Sequence, residues 1–214
     1  LFDAADLFSA DPEMAAWLAF RQHSVRAWIE VLYRTVKEVS EEVQVACGPR
    51  TSAFAPLAGY NLRHLTEVTD FLCPKLYFWA QGHDGLKGTL HRWACTLMEW
   101  NEGLSETQAL GVLYRLFGFT LPGVNRLADL EQPFNHDFFR TVVASEINKA
   151  IFRAGSAERL QPWVGLHHGG TRLSPEELEW LLEAVAGSPL PGLIYWHYED
   201  LRPEEWSLLQ QTGG

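Results

Sequence analysis

The sequence is short of the features that mark several common protein classes. Only three cysteines occur in 214 residues (Cys47, Cys73 and Cys95), widely spaced and with no Cys-x-x-Cys pair. That number and spacing imply neither a disulfide framework nor a zinc knuckle. Cys47 and Cys73 fall in expected strands, where a buried free thiol is the plain reading. No run of about 18 apolar residues is present, so no transmembrane helix and no membrane partner are expected. Basic residues are few and scattered, 17 against 27 acidic ones for a net charge of −10, which removes nucleic acid from the expected partners. There is no Gly-x-Ser-x-Gly elbow, and the stretch from Gly82 to Gly88 fails the spacing of a nucleotide-binding phosphate loop. A secretory leader is also missing. The chain opens on Leu1-Phe2-Asp3 instead of Met, so a missing N-terminal segment is expected and localisation stays open.

What is present is an ordinary globular composition, 47% hydrophobic and 21% charged, with nine tryptophans among 13% aromatics. Indole faces suit core packing, and equally the apolar faces of sugar rings. Asp11-Pro12-Glu13 marks a helix start. Val25, Trp28, Ile29, Leu32, Val36 and Val39 then follow the spacing of an amphipathic helix. Val43 to Cys47, closed by Gly48-Pro49, reads as a buried strand, and Asn61 caps a short helix over residues 61–68. Asp70 to Trp79 reads as a second strand, followed by a helix from about Thr89 to Trp100. Ser105 and Gln108 form a capping box for a helix running to Phe117, and residues 136–153 are helical again. Trp163 to Gly170 reads as a third strand, Ser174-Pro175-Glu176-Glu177 as a helix start, Gly192 to Tyr198 as a fourth strand, and Arg202-Pro203-Glu204 as the start of a closing helix.

Strands near residues 43, 71, 163 and 192, each followed by helix, predict an α/β fold: parallel strands with helical crossovers. Four such units match the later half of a (β/α)8 barrel or an open α/β sheet, and the helix over residues 20–39, a crossover with no strand ahead of it, favours the half-barrel. The expected organisation is one domain over 1–214, a partial barrel in which residues 101–160 form a mostly helical insertion. A half-barrel leaves strand edges uncovered, so a homo-oligomer or a covering segment outside the sequence is expected.

Ligands of such folds meet the C-terminal ends of the strands. That rule selects Arg50 after the first strand, and Lys75, Tyr77, Trp79, His83 and Asp84 at and after the second. His167 and His168 follow from the third, and Trp196, His197, Tyr198, Glu199 and Asp200 from the fourth. Alternation puts Lys75, Tyr77 and Trp79 on one side of their strand, and Trp196 and Tyr198 on one side of theirs. The expected polar and stacking contacts to a ligand are Arg50, Lys75, Tyr77, Trp79, His83, His167, Trp196 and Tyr198, with Asp84 and Asp200 as candidate catalytic carboxylates. Glu199-Asp200 also reads as the approach to the closing helix, with Asp200 as its cap. His167 and His168, being adjacent, point to opposite sides and predict no shared metal, and no cofactor is expected.

Three stretches resemble the C-terminal half of a glycoside-hydrolase barrel of the broad β-galactosidase-like group. They are Phe20-Arg21-Gln22-His23-Ser24-Val25, Asp70-Phe71-Leu72-Cys73-Pro74-Lys75-Leu76-Tyr77, and Gly192-Leu193-Ile194-Tyr195-Trp196-His197-Tyr198 ahead of the Pro203-Glu204-Glu205-Trp206 helix. The resemblance implies a carbohydrate ligand and glycosidic-bond hydrolysis by two carboxylates, one after the fourth and one after the seventh barrel strand. The fourth strand would precede Leu1, and the seventh-strand position falls near Leu166-His167-His168, where no carboxylate stands. Part of the active site is therefore expected outside this chain. The alternative is a carbohydrate-binding or scaffolding α/β domain without catalysis.

Overall fold

The computed structural model describes residues 11–80 and 85–212. It begins with α1 (Pro12–Val39), whose start is set by Asp11: its carboxylate accepts from Glu13 N at 2.9 Å and Met14 N at 3.1 Å, with Pro12 in the first turn. The other helices are α2 (Leu62–Thr66), α3 (Leu86–Trp100), α4 (Glu106–Phe117), α5 (Ala144–Ala154), α6 (Pro175–Ala186) and α7 (Pro203–Thr212). Asn61 caps α2, and full capping boxes start α4 (Ser105 with Gln108) and α6 (Ser174 with Glu177). A π-helical turn, Phe138–Val143, runs into α5 and buries Phe138, Phe139, Val142 and Val143.

Strands are brief. β1 (Ala46–Cys47) pairs in parallel with β2 (Phe71–Leu72), and β3 (Lys75–Leu76), β4 (Trp163–Gly165) and β7 (Ile194–Trp196) form a second parallel sheet in that order. The predicted strand over residues 70–79 is thus two pieces. Pro74 has no N–H to give, and the ladder is interrupted there. Flanking bonds bridge the gap: Cys73 N donates to the Cys47 carbonyl, Lys75 N to that of Pro49, and Trp163 N to that of Pro74. Four parallel segments therefore lie side by side in chain order, interleaved with helices, as the α/β reading requires.

Register decides which side chains share a face. Lys75, Trp163 and Ile194 are in line, as are Leu76, Val164 and Tyr195, and then Gly165 with Trp196. Leu76 and Val164 belong to the main core with Phe78, Leu86, Leu90, Leu110, Leu113 and Phe139, and Tyr195 packs against it. A second cluster gathers Cys47, Leu72 and Leu160 under Leu62, Leu65, Ala150 and Ala154, and Ile151 and Leu190 touch both. Helices thus cover the face bearing Leu76 and Val164. Among the described residues no helix packs on the face bearing Lys75, Trp163 and Trp196, and Trp196 is 48% exposed. Parallel sheets are ordinarily covered on both faces.

The amphipathic reading of α1 needs correction. Val25 and Ile29 pack onto the second cluster, but no α1 residue is buried, and Trp28 is 77% exposed, with Trp17, Phe20, Val31, Leu32 and Val39 also exposed. Leu18, Tyr33 and Val36 are half-buried, so the helix meets the domain along a partial seam while Trp28 and its exposed neighbours face solvent. Among the described residues no helix is long and apolar enough to cross a membrane.

Candidate functional site

The open face is built by small residues that let large rings approach. Gly48 stands 3.7 Å, measured from the Cβ position it lacks, from the Trp163 ring, and the same position at Gly165 would be 2.5 Å from Tyr77 Cε2. Glycine at 165 is therefore what lets Tyr77 lie against the strand. The Trp163 and Trp196 rings meet at 4.7 Å between centroids and 68°, and Lys75 Nζ sits 5.4 Å from the Trp163 ring centre. The Tyr77 hydroxyl and His168 Nδ1 are 2.6 Å apart. These groups make a shallow aromatic wall with a cation at one end and a hydroxyl–imidazole pair at the other.

A polar rim closes the C-terminal side. His167 Nε2 is 3.2 Å from Asp200 Oδ2, His197 Nδ1 is 3.2 Å from Glu199 Oε1, and the His197 ring packs on Trp196 at 4.2 Å and lies nearly parallel to His167 at 6.2 Å. Arg172 fixes the rim: its Nη1 donates to the two oxygens of buried Glu205, at 2.7 and 2.8 Å, and its Nη2 donates to the Asp200 carbonyl. The Arg202 N–H donates to the same Glu205 carboxylate, so Glu205 closes the start of α7. Asp200 is not that helix's cap; its carboxylate faces His167.

The expected third strand ends earlier than the sequence reading put it. β4 stops at Gly165, and His167 and His168 lie in β5 (His167–His168), paired antiparallel with β6 (Thr171–Arg172). Gly169 and Gly170, at φ 56° and 86°, make the two-residue turn between them. This hairpin sends the histidines to different neighbours, His167 to Asp200 and His168 to Tyr77. Tyr198 is likewise off its strand: it begins a 3-10 turn, Tyr198–Asp200, and is 68% exposed. Arg50 hydrogen-bonds Thr89 Oγ1 at 3.3 Å, with its guanidinium 5.8 Å from the Phe54 ring centre. His83 and Asp84 lie outside the described residues.

Trp79 departs most from expectation. Alternation ends with β3 at Leu76, and Trp79 turns away from Lys75 and Tyr77 into the main core, 4% exposed and edge-on to Phe134. Its indole N–H has no hydrogen-bond acceptor among the described residues. It forms part of the wall of a cavity of about 470 Å³ between the start of α3, residues 130–134 and the start of α6. Lys87, also in that wall, is buried; its ammonium donates to the Gln132 carbonyl at 2.6 Å and sits 4.0 Å from the Phe134 ring centre. Burial pushes its pKa down to about 8, against the opposing pull of Glu177 and Glu131. His168 stands in the same wall.

Two polar groups in this region have no sequence signal that isolates them. Lys87 is one, since its seclusion depends on residues 130–134 folding back over α3. Glu146 is the other. It is fully buried, accepts from Ala53 N and Lys149 Nζ at 2.7 Å each, and so ties α5 to the loop that follows Arg50. Among the described residues no three His, Cys, Asp or Glu side chains gather to hold a metal ion. Comparison of the chain with protein-family models, with curated proteins and with solved structures found no match.

Proposed function

We propose that this chain is the carbohydrate-handling half of a (β/α)8 barrel, in which the open sheet face carries the sugar and glycosidic-bond hydrolysis draws on residues outside these 214. The observation that carries the reading is the uncovered face of a parallel sheet lined with Trp163, Trp196 and Tyr77 beside Lys75. Flat rings bury the C–H faces of a pyranose, and hydrogen-bonding tips around them take its hydroxyls. Four parallel segments in chain order, with helices on one side only among the described residues, support the half-barrel; the uncovered side corresponds to the inner wall.

Within this reading Asp200 is the carboxylate nearest the sugar, oriented by His167. Glycoside hydrolysis takes two carboxylates about 5–9 Å apart. Glu205 cannot be the second, because Arg172 and the Arg202 N–H occupy it. The second acid is therefore assigned to Asp84 or to a segment beyond this chain. A non-catalytic sugar-binding role is the rival, favoured by one observation: Asp200 and Glu199 at the rim are each engaged by a histidine.

The test is a tryptophan-fluorescence titration with lactose, galactotetraose, cellotetraose and xylotetraose, alongside hydrolysis of nitrophenyl glycosides. Binding that Trp196→Ala weakens at least tenfold supports the sugar face. Hydrolysis abolished by Asp200→Asn with binding intact supports the catalytic reading; binding with no hydrolysis selects the rival. No binding of any of the four at 50 mM sinks both.

A further inference from the structure

The cavity walled by Trp79, Phe134 and Trp180 adjoins the sheet face through His168, which lines the cavity while pairing with Tyr77. Its volume, about 470 Å³, lies in the range of small-molecule sites. The balance of its polar groups narrows what it can hold. On the donor side are the indole N–H of Trp79, buried without an acceptor among the described residues, and the ammonium of Lys87. Arg172 also borders it but is neutralised by Glu205. On the acceptor side, Glu176 at the rim makes no hydrogen bond or ion pair among the described residues, whereas both Glu177 oxygens already accept backbone N–H groups, from Phe134 and Ser174.

An anionic ligand would meet Glu131, Glu176 and Glu177, with Lys87 as the one lining lysine or arginine among the described residues not held by an ion pair, which is unfavourable. A cationic ligand would meet Lys87 already seated on the Phe134 ring. Neither exclusion applies to a neutral molecule that offers both donors and acceptors around an apolar face. We propose that this cavity is a second sugar subsite, in which Trp180 stacks on a neutral pyranose unit while Trp79, Lys87 and Glu176 take its hydroxyls. The inference rests on the sheet face binding carbohydrate: a chain passing His168 would place one end on Trp196 and Trp163 and the other in the cavity.

The experiment compares, by calorimetry, galactobiose with galactotetraose and cellobiose with cellotetraose on the wild type and on Trp180→Ala, Glu176→Gln and Trp196→Ala. Trp180→Ala is expected to weaken the tetraose about five- to tenfold, as loss of one stacking contact does, and to leave the disaccharide within about twofold. Glu176→Gln, at an exposed position without a hydrogen bond or ion pair among the described residues, is expected to move the tetraose in the same direction and guards against a folding defect at Trp180. Trp196→Ala is expected to weaken both lengths. If Trp196→Ala removes binding while Trp180→Ala and Glu176→Gln leave the tetraose unchanged, the subsite is refuted and the sheet-face reading stands. If neither length of either sugar binds the wild type, the reading and the subsite fall together. Equal weakening of both lengths by Trp180→Ala overturns the division into two subsites.

Discussion

Replacing Glu146 with alanine removes a carboxylate that is 0% exposed and holds two donors, Ala53 N and Lys149 Nζ, at 2.7 Å each. Lys149 keeps the Phe117 carbonyl at 2.9 Å and the Phe119 ring at 5.0 Å, so the truncated protein retains a mostly buried ammonium whose counter-charge has gone. Arg153, which donates to the Ser52 carbonyl, loses the same nearby negative charge. Breaking one side of a buried ion pair costs about 3–5 kcal/mol, and the stranded Ala53 N–H about 1–3 kcal/mol. The two losses share a relaxing loop, so a total of about 4 kcal/mol is expected, a large part of the roughly 5–15 kcal/mol that holds a domain folded. Glu146→Gln keeps the shape and an acceptor for Ala53 N, and should cost about half as much. Urea denaturation followed by circular dichroism reads both, with an unchanged slope showing that the same fold is melting. A loss below about 1 kcal/mol for Glu146→Ala would refute the claim that this carboxylate anchors the loop behind Arg50.

Three further outcomes follow from the packing. Gly165→Ala should cost about 1–3 kcal/mol, because the new methyl group meets Tyr77 Cε2 at 2.5 Å. In a Tyr77→Ala background most of that cost should vanish, and an identical cost in both backgrounds would dismiss the clash. Lys87 holds its proton less tightly folded than unfolded, from 10.5 down to about 8. The unfolded chain binds more protons across that window, so this group destabilises the fold below pH 8, and that burden lifts as pH rises toward 10.5. Cys47 and Cys73, pushed up to about 11 by burial, act oppositely above pH 9. The difference in stability between Lys87→Met and wild type, measured by urea melts at pH 7 and pH 9, should therefore narrow in the wild type's favour; a constant difference contradicts a buried, charged Lys87. Finally, Trp28→Gln should lower binding of a hydrophobic dye while changing stability by less than about 0.5 kcal/mol, since Trp28 is 77% exposed. A larger loss would mean that α1 packs on that face.

Local chemistry made the helices legible. Asp11-Pro12, Asn61, Ser105 with Gln108, and Ser174 with Glu177 each supply a cap within four residues of the start, and all four helices begin where those residues put them. The strands were legible in position but not in length, because their pairing depends on partners distant in sequence, such as Lys75 with Trp163, and on the missing N–H of Pro74. Trp79 lies off the face it was expected to share with Lys75 and Tyr77 for that reason: alternation holds only while the strand lasts, and β3 stops at Leu76. Two glycines between short segments are a hairpin signal, and reading Trp163 to Gly170 as a single strand passed over the turn at Gly169-Gly170. Nothing local marks Glu146 or Lys87, whose burial comes from segments distant in sequence closing over them.

The account rests on sugar lying across the uncovered sheet face, and the most direct measurement is a crystal structure after soaking with the tetraose that binds best. The account predicts a pyranose ring stacked on Trp196 or Trp163 within van der Waals contact, with hydroxyls directed toward Lys75 and the Tyr77–His168 pair. A bound sugar that avoids this face, or a face occupied by another stretch of protein so that no sugar can reach Trp163, would contradict it.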